Sequence, residues 1–192
     1  MPARISLLLA VLLCAAPARA QETEPEAPKA KSVTYTPPSR IFSCELPSDW
    51  QGMEEEDALG PVARVIGPDD PSGNYRTGLT VRLFEHGQPG FVEVKKAVDL
   101  MRRSDKIVDR SATPVQPMRV AGLLARLFEV TEEWILPLER LPATEEAIHS
   151  YIAVIPSGSD YYVLRLSSAR DVYMDFREDF FRCLRTFRPS GH

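Results

Sequence analysis

The sequence predicts an α+β domain, a largely antiparallel β-sheet packed by two long helices. Several segments alternate apolar and polar residues with period two, and clusters of turn-forming residues separate them. Two other segments repeat apolar residues at helical spacing. The order of these segments is β-β-β-α-β-β-β-β-α, which favours meandering antiparallel strands over alternating parallel units.

Three strands are predicted ahead of the first helix. The alternation in residues 41–47 is typical of a half-buried strand, and residues 62–66 and 78–85 supply the second and third. The acidic run 54–57 is interpreted as a solvated loop. The cluster of Gly, Pro, Asp, Ser and Asn at 67–74 predicts the turn that ends the second strand.

The first predicted helix has about four turns, because its apolar residues recur three or four positions apart. These residues are Phe91, Val94, Val98 and Met101. The second predicted helix is strongly amphipathic and ends before Pro189. Its apolar face consists of Tyr173, Phe176, Phe180, Cys183, Leu184 and Phe187.

Four strands are predicted between the two helices. Their segments are Ile107–Pro114, Met118–Thr131 with an interruption at Ala121-Gly122, Ile148–Ile155 and Tyr161–Ser167. The loop at 156–160 predicts that the last two form a hairpin.

The N-terminus has the pattern of a removable export signal. Arg4 precedes an apolar run at 5–16, and small residues lead to cleavage before Gln21. The run is shorter than the roughly 20 residues of a spanning helix. We therefore predict a signal peptide at 1–20 and a periplasmic or secreted protein that is soluble after cleavage. A disordered Pro- and Glu-rich tether is predicted at 21–40, a single domain at 41–189 and a tail at 190–192.

Composition limits the partners. The chain has 192 residues, 44% hydrophobic and 26% charged, with 23 basic and 27 acidic side chains. Removal of the signal takes away Arg4 and Arg19 and leaves a net charge of −6. An acidic chain with no basic run argues against nucleic acid as a partner and limits membrane contact to a peripheral one.

Several short motifs resemble the Mog1/PsbP-like family across residues 41–189. They are a strand ending in the run 46–50, a Gly-Pro turn at 67–68, a strand–helix pair at 78–104, the strand after 120–122, and a final hairpin and helix ending in 184–189. The resemblance implies an α/β/α sandwich around an antiparallel sheet. It also implies a mostly non-catalytic role, as in photosystem accessory subunits, a nuclear-transport regulator and exported bacterial proteins. The family has no shared catalytic motif, so no functional residue is transferred.

The sequence lacks the usual catalytic and nucleotide-binding motifs: no G-x-S-x-G, P-loop, G-x-G-x-x-G or H-E-x-x-H is present. His149 is followed by Ser150, and neighbours on a strand point to opposite faces, so they do not form a nucleophile–base pair. We expect no catalytic residues, no cofactor and no metal.

The apolar segment 133–142 is the first candidate for protein binding. It lies between two predicted strands, its prolines prevent a regular helix, and connections are usually short and polar. The segment is either a flap folded over an open end of the core or an exposed docking tip. Its candidate residues are Trp134, Ile135, Leu136 and Leu138.

The predicted hairpin supplies the second candidate. Pairing Ile155 with Tyr161 would place Tyr151 opposite Arg165, and Tyr161 would share their face. Aromatic residues beside arginine are common in protein recognition. The alternative is that Arg165 stacks on Tyr151 beneath a helix.

Cys44 and Cys183 remain after removal of the signal, in a compartment that permits disulfides. Both lie on apolar faces of their predicted elements, and the resembled fold packs the last helix against the sheet. We predict a disulfide between them, with two separately buried thiols as the alternative.

Three functions are compatible with these observations. The leading one is an exported, non-catalytic binding or assembly module that acts on an envelope protein. The second is a carrier that holds an apolar small molecule between the sheet and the C-terminal helix. The third is a hydrolase whose site follows no known motif.

Overall fold

The computed structural model describes residues 31–105, 109–136 and 143–190, and within these ranges the protein is mostly antiparallel β-sheet. The strands are β1 (Ser32–Tyr35), β2 (Phe42–Pro47), β3 (Gln51–Asp57), β4 (Gly60–Asp69), β5 (Arg76–Phe84), β6 (Ser111–Ala112), β7 (Gln116–Val120), β8 (Leu123–Leu136), β9 (Thr144–Ser157), β10 (Asp160–Ala169) and β11 (Arg188–Pro189). The helices are α1 (Val94–Met101) and α2 (Arg177–Thr186).

Eight strands form the main sheet. Its order is β3-β4-β5-β10-β9-β8-β6, and β7 also pairs with β8. A second, three-stranded sheet has the order β1-β2-β11. Consecutive strands are mostly neighbours, as expected for hairpins joined by short turns. One such turn, at Ala121-Gly122, has positive φ at both residues, which matches the right-handed twist of a hairpin.

The main sheet has two faces with different coverings. On one, the α2 face, Phe180, Cys183, Leu184 and Phe187 pack against the sheet and β2 with no exposed surface. On the other, the α1 face, Ala97 and Val98 cover only the part of the sheet around Phe128, Ile152 and Tyr161. Because side chains alternate between the two faces along each strand, the main sheet contributes residues to two separate hydrophobic cores.

The predicted α/β/α sandwich with two long helices is wrong. Strands take 56% and helices 12% of the described residues, and α1 and α2 have only eight and ten residues. Helix α1 begins at Val94, after the first apolar residue of the predicted helix, Phe91, because the backbone of Glu93 is extended, with ψ at 142°. Ahead of α2, successive turns such as Asp175 N to Val172 O hold Tyr173 and Phe176, and these turns imitate helical spacing.

Two predicted irregular segments are strands. Residues 32–35, placed in the tether, form β1 and pair with β2. The acidic run 54–57, placed in a loop, belongs to the edge strand β3 and pairs with β4. Charged side chains are common on edge strands because they oppose further pairing. The signal 1–20, tether residues 21–30 and strand residues 107–108 lie outside the described residues.

Neither described helix is long and apolar enough to cross a membrane.

Candidate functional site

An open groove of about 620 Å³ occupies the part of the α1 face that α1 leaves bare. Its floor is formed by β4, β5 and β10, and Met101 at the end of α1 contributes to its lining. The floor side chains include Val62, Thr80 and Val163. This groove is the candidate functional site.

Among the described residues that line the groove, the charged side chains are all arginines, namely Arg64, Arg76, Arg82 and Arg165. Each has a carboxylate partner outside the lining. The pairs are Arg64 with Glu55, Arg76 with Asp69, Arg82 with Asp57 and Arg165 with Glu132. The edge strand β3 supplies two of these carboxylates, so half of its acidic run 54–57 is paired with arginines of the groove.

The Arg82–Asp57 pair is bidentate. Arg82 Nη1 donates to Asp57 Oδ1 over 2.7 Å, and Nη2 contacts the second carboxylate oxygen. Hydrogen bonding from Arg82 lowers the pKa of Asp57 to about 2, so this carboxylate is charged at physiological pH. The pair fixes the guanidinium of a side chain that is only 14% exposed.

Arg165 belongs to a hydrogen-bonded network on the floor. Its Nε donates to Ser150 Oγ and Ser167 Oγ, each at 3.1 Å, and its Nη2 donates to Glu132 Oε2 over 3.0 Å. The other oxygen of Glu132 lies 2.9 Å from Arg110 Nε. Glu132 therefore links two arginines and holds Arg165 in one orientation.

Two aromatic residues lie at one end of the groove. Tyr75 and Trp134 meet edge to face, with ring centroids 6.4 Å apart. Burial raises the pKa of Tyr75, so its hydroxyl stays protonated at neutral pH. Trp134 is 38% exposed and its Nε1 donates to Glu132 Oε2 over 3.3 Å. The end of the groove thus combines an apolar ring surface with hydrogen-bonding groups.

The structure separates the residues of the predicted loop 133–142. Residues 133–136 continue β8, because they pair in register with residues 144–147 of β9. Trp134 reaches the groove, Ile135 is 63% exposed, and Leu136 is buried. Leu138 and the rest of 137–142 lie outside the described residues.

The predicted hairpin register is wrong by one residue. Tyr162, not Tyr161, pairs with Ile155, and Arg165 pairs with Ile152. A shift of one residue moves every side chain to the opposite face. Tyr151 therefore contacts Phe180 on the α2 face, while Tyr161 and Arg165 lie on the α1 face; both tyrosines are buried.

Sequence reasoning missed Arg64, Arg82, Tyr75 and Thr80. A signal for two of them was present, because β5 alternates Leu79, Val81 and Leu83 with Thr80 and Arg82. The apolar half of this pattern indicated the core, and the polar half marks the groove floor. Arg64 and Tyr75 come from other segments, and only the strand order brings them to the same site.

His149 lies on the α2 face in a hydrogen-bonded chain. Its Nδ1 is 3.1 Å from Thr131 Oγ1, and its Nε2 is 3.1 Å from Glu129 Oε2. His149 is 7% exposed, and the Tyr173 ring lies against its ring in a tilted arrangement with centroids 3.9 Å apart. Burial lowers the pKa of His149 despite the nearby Glu129 carboxylate. These contacts link β8, β9 and the turn before α2. Glu129, Thr131 and His149 do not line the groove.

The turn at 69–74 is closed by its own side chains. Asp70 Oδ1 accepts the backbone N–H groups of Asn74 and Tyr75, and Asp70 Oδ2 accepts the Ser72 hydroxyl. Such bonds are ordinary turn chemistry for Asp. Within the described ranges, no group of three or more His, Cys, Asp or Glu side chains is arranged to hold a metal ion.

Packed aromatic side chains occupy the layer where the carrier hypothesis places its ligand. Phe42 stacks on Phe187 with centroids 5.5 Å apart, and Tyr151 stacks on Phe180 at 5.7 Å. All four rings are buried. The groove lies on the opposite face, so the structure offers no support for a ligand between the sheet and α2.

Cys44 and Cys183 meet in the same layer. Both are free thiols in this structure and both are buried. A hydrogen bond with Cys44, together with burial, raises the pKa of Cys183. The two thiols are therefore neighbours, and the disulfide itself stays a prediction.

Comparisons with known proteins concern the fold alone. No family model matches the sequence, and no curated protein matches it. Among solved structures, PA94 from Pseudomonas aeruginosa, a protein of unknown function, matches with a TM-score of 0.53 at 9% identity. The match covers 84% of this chain and 99% of PA94. The two chains thus share a fold over most of their lengths.

Two further solved structures have lower similarity. Cyanobacterial PsbP (CyanoP) from Synechocystis sp. PCC 6803 has a TM-score of 0.47 and 12% identity, over 92% of this chain and 98% of CyanoP. LpqN of Mycobacterium tuberculosis, which is involved in cell envelope biogenesis, has a TM-score of 0.46 and 13% identity, over 82% and 89%. Membership of the Mog1/PsbP-like family stays a prediction from the sequence.

Proposed function

We propose that this protein is an exported, non-catalytic binding module that docks onto a protein of the cell envelope through the groove on the α1 face. One observation carries the proposal. One face of the main sheet is covered by α2, whereas the other leaves a recess of about 620 Å³ whose lining includes arginines and three aromatic residues. Arginine and aromatic side chains are enriched at the centres of protein interfaces.

The export part of the proposal rests on the N-terminal sequence. A basic residue, a 12-residue apolar run and small residues before Gln21 follow the pattern of a secretory signal. Such a signal places the domain where envelope proteins are its neighbours.

The non-catalytic part rests on the chemistry of the groove. Among the described residues that line it, there is no histidine and no carboxylate that would serve as a base. Ser167 lies 2.8 Å from Ser150, and Arg165 donates to both hydroxyls. A nucleophilic hydroxyl requires an adjacent base, and these hydroxyls have a cation and each other.

Affinity capture with a blocked groove tests the proposal. Thr80→Trp fills the floor, and Met174→Trp adds the same side chain at an exposed position of the other face. We expect an envelope protein, identified by mass spectrometry, to be captured by the unmodified protein and by Met174→Trp but not by Thr80→Trp. Circular dichroism and thermal melting verify that both variants are folded. Equal capture by both variants would contradict docking at the groove.

A further inference from the structure

Three arginines surround one threonine on the floor of the groove. Thr80 is paired with Arg64 on β4 and with Arg165 on β10, and Arg82 lies two residues farther along β5 on the same face. Adjacent strands are about 4.8 Å apart and alternate residues about 7 Å apart, so the backbones of Arg64 and Arg165 are separated by about 10 Å. Arginines from three strands therefore line one floor, with Arg64 and Arg82 reaching toward the carboxylates of β3 and Arg165 reaching toward Glu132 of β8.

The charge of these arginines is only partly satisfied by their carboxylate partners. Glu55, Asp57 and Glu132 each accept bonds from one side of a guanidinium and do not line the groove. An arginine carries five N–H donors, so each retains donors for another acceptor. The side chains of the Arg64–Glu55 pair are 45% and 49% exposed, and exposed pairs of this kind are weak, so an added carboxylate competes readily with Glu55.

The shape of the site favours a chain over a small ion or a flat surface. Its volume of about 620 Å³ is many times the ~10–15 Å³ that a cavity needs to hold one water molecule, and it is far more than one carboxylate or phosphate requires. The arginines lie on the floor of a recess, where a flat bilayer surface has poor access. The rings of Tyr75 and Trp134 at one end add an apolar surface next to the charges.

We propose that the groove binds an extended acidic peptide segment, whose carboxylates pair with Arg64, Arg82 and Arg165 and whose apolar side chain packs on Trp134 and Tyr75. This inference rests on the proposed function and gives the partner its chemistry. It holds although the whole chain is acidic, because the fold collects arginines that are far apart in the sequence. Charge complementarity of this kind determines partner choice and association rate.

Fluorescence anisotropy with defined peptides tests the inference. The probe is a fluorescein-labelled peptide of alternating Glu and Val, and its control replaces every Glu with Gln. The protein is residues 21–192, with the variant R64Q/R165Q and the matched control R119Q/R188Q. Arg119 and Arg188 are exposed arginines outside the groove.

The expected result has three parts. The Glu peptide binds and the Gln peptide does not. R64Q/R165Q weakens binding about tenfold or more, because two charged contacts are lost, whereas R119Q/R188Q changes it less than about twofold. Added NaCl weakens binding because it screens exposed charges.

Four results would overturn the inference. They are equal binding of both peptides, equal loss in both double variants, phosphatidylglycerol vesicles binding with the same dependence on Arg64 and Arg165, and a large gain in affinity on deletion of residues 21–30. The last would show that Glu22, Glu24 and Glu26 of this chain occupy the groove. The proposed function has a separate test: if Thr80→Trp loses the captured partner while R64Q/R165Q keeps it, the acidic segment is wrong and docking stands.

Discussion

At the scale of single residues, the end of β8 holds one buried and two exposed apolar side chains. Leu136 is buried, whereas Trp134 and Ile135 are exposed. We expect Leu136→Ala to lower the free energy of unfolding by about 2–5 kcal/mol, the usual cost of truncating a buried leucine. Ile135→Ser, at a side chain that is 63% exposed, should change it by less than about 0.5 kcal/mol, and Trp134→Ser should fall between the two because the Trp134 ring packs on Tyr75. Urea denaturation of the three variants measures this, and a loss for Ile135→Ser as large as that for Leu136→Ala would place Ile135 in the core.

His149 predicts a pH dependence of stability. Its pKa is lowered in the folded state, chiefly by burial, so the unfolded chain binds a proton more readily. Stability is therefore complete above the ordinary histidine pKa of about 6.5 and decreases as the pH falls through 6.5 toward the lowered value. The groups around the ring are Glu129, Thr131, Tyr151, Arg170 and Tyr173.

Comparison with His149→Gln isolates this effect. Glutamine keeps hydrogen-bonding capacity but does not titrate in this range. We expect the unfolding free energy of the unmodified protein to decrease between pH 7.5 and pH 5 by more than that of the variant. Parallel curves for the two proteins would show that His149 has the same pKa in the folded and unfolded states.

At the scale of elements, one of the two cysteines lies on β2, the first strand of the predicted domain, and the other lies on α2, the last helix. Alternation in β2 and the helical period in α2 predicted that both thiols point into the core, and the structure places them in contact. A disulfide here would close a long loop, and in the chain-entropy model it would stabilise the protein by about 5 kcal/mol as an upper value. Alkylation of the mature exported protein, in denaturant without reductant, should label neither cysteine. Labelling of both would contradict the disulfide.

The hairpin of β9 and β10 shows where prediction from the sequence stops. The two strands and their turn were predicted correctly as elements, and the buried faces of β2 and β5 follow directly from their alternation. The register of the hairpin was predicted incorrectly, because the turn closes on the pair Asp160–Ser157 around Gly158, one residue from the expected pairing. Since one residue reverses the face, Tyr151 was assigned to a binding surface and lies in the core.

The prediction of helix length was wrong for a related reason. Apolar side chains at helical spacing occur both in α2 and in the turns before it, and the sequence pattern does not separate the two. Local backbone geometry, such as the extended Glu93 ahead of α1, fixes where each helix begins.

At the scale of the whole molecule, the groove exists only because of the strand order. Its arginines come from β4, β5 and β10, and β10 lies between β5 and β9 although more than seventy residues separate it from β5 in the chain. Trp134 and Arg165 were predicted from local features, whereas Arg64, Arg82 and Tyr75 required the assembled sheet. An acidic chain thereby acquires a groove in which the charged lining residues of the described ranges are all arginines.

The central claim is that a partner contacts the floor of this groove, and site-specific photocrosslinking in the producing cell tests it most directly. The photoreactive residue p-benzoylphenylalanine replaces Thr80 on the floor in one variant and the exposed Met174 on the opposite face in another. We predict a light-dependent adduct with a single envelope protein from position 80 and none from position 174. An adduct from position 174 with none from position 80 would contradict the account.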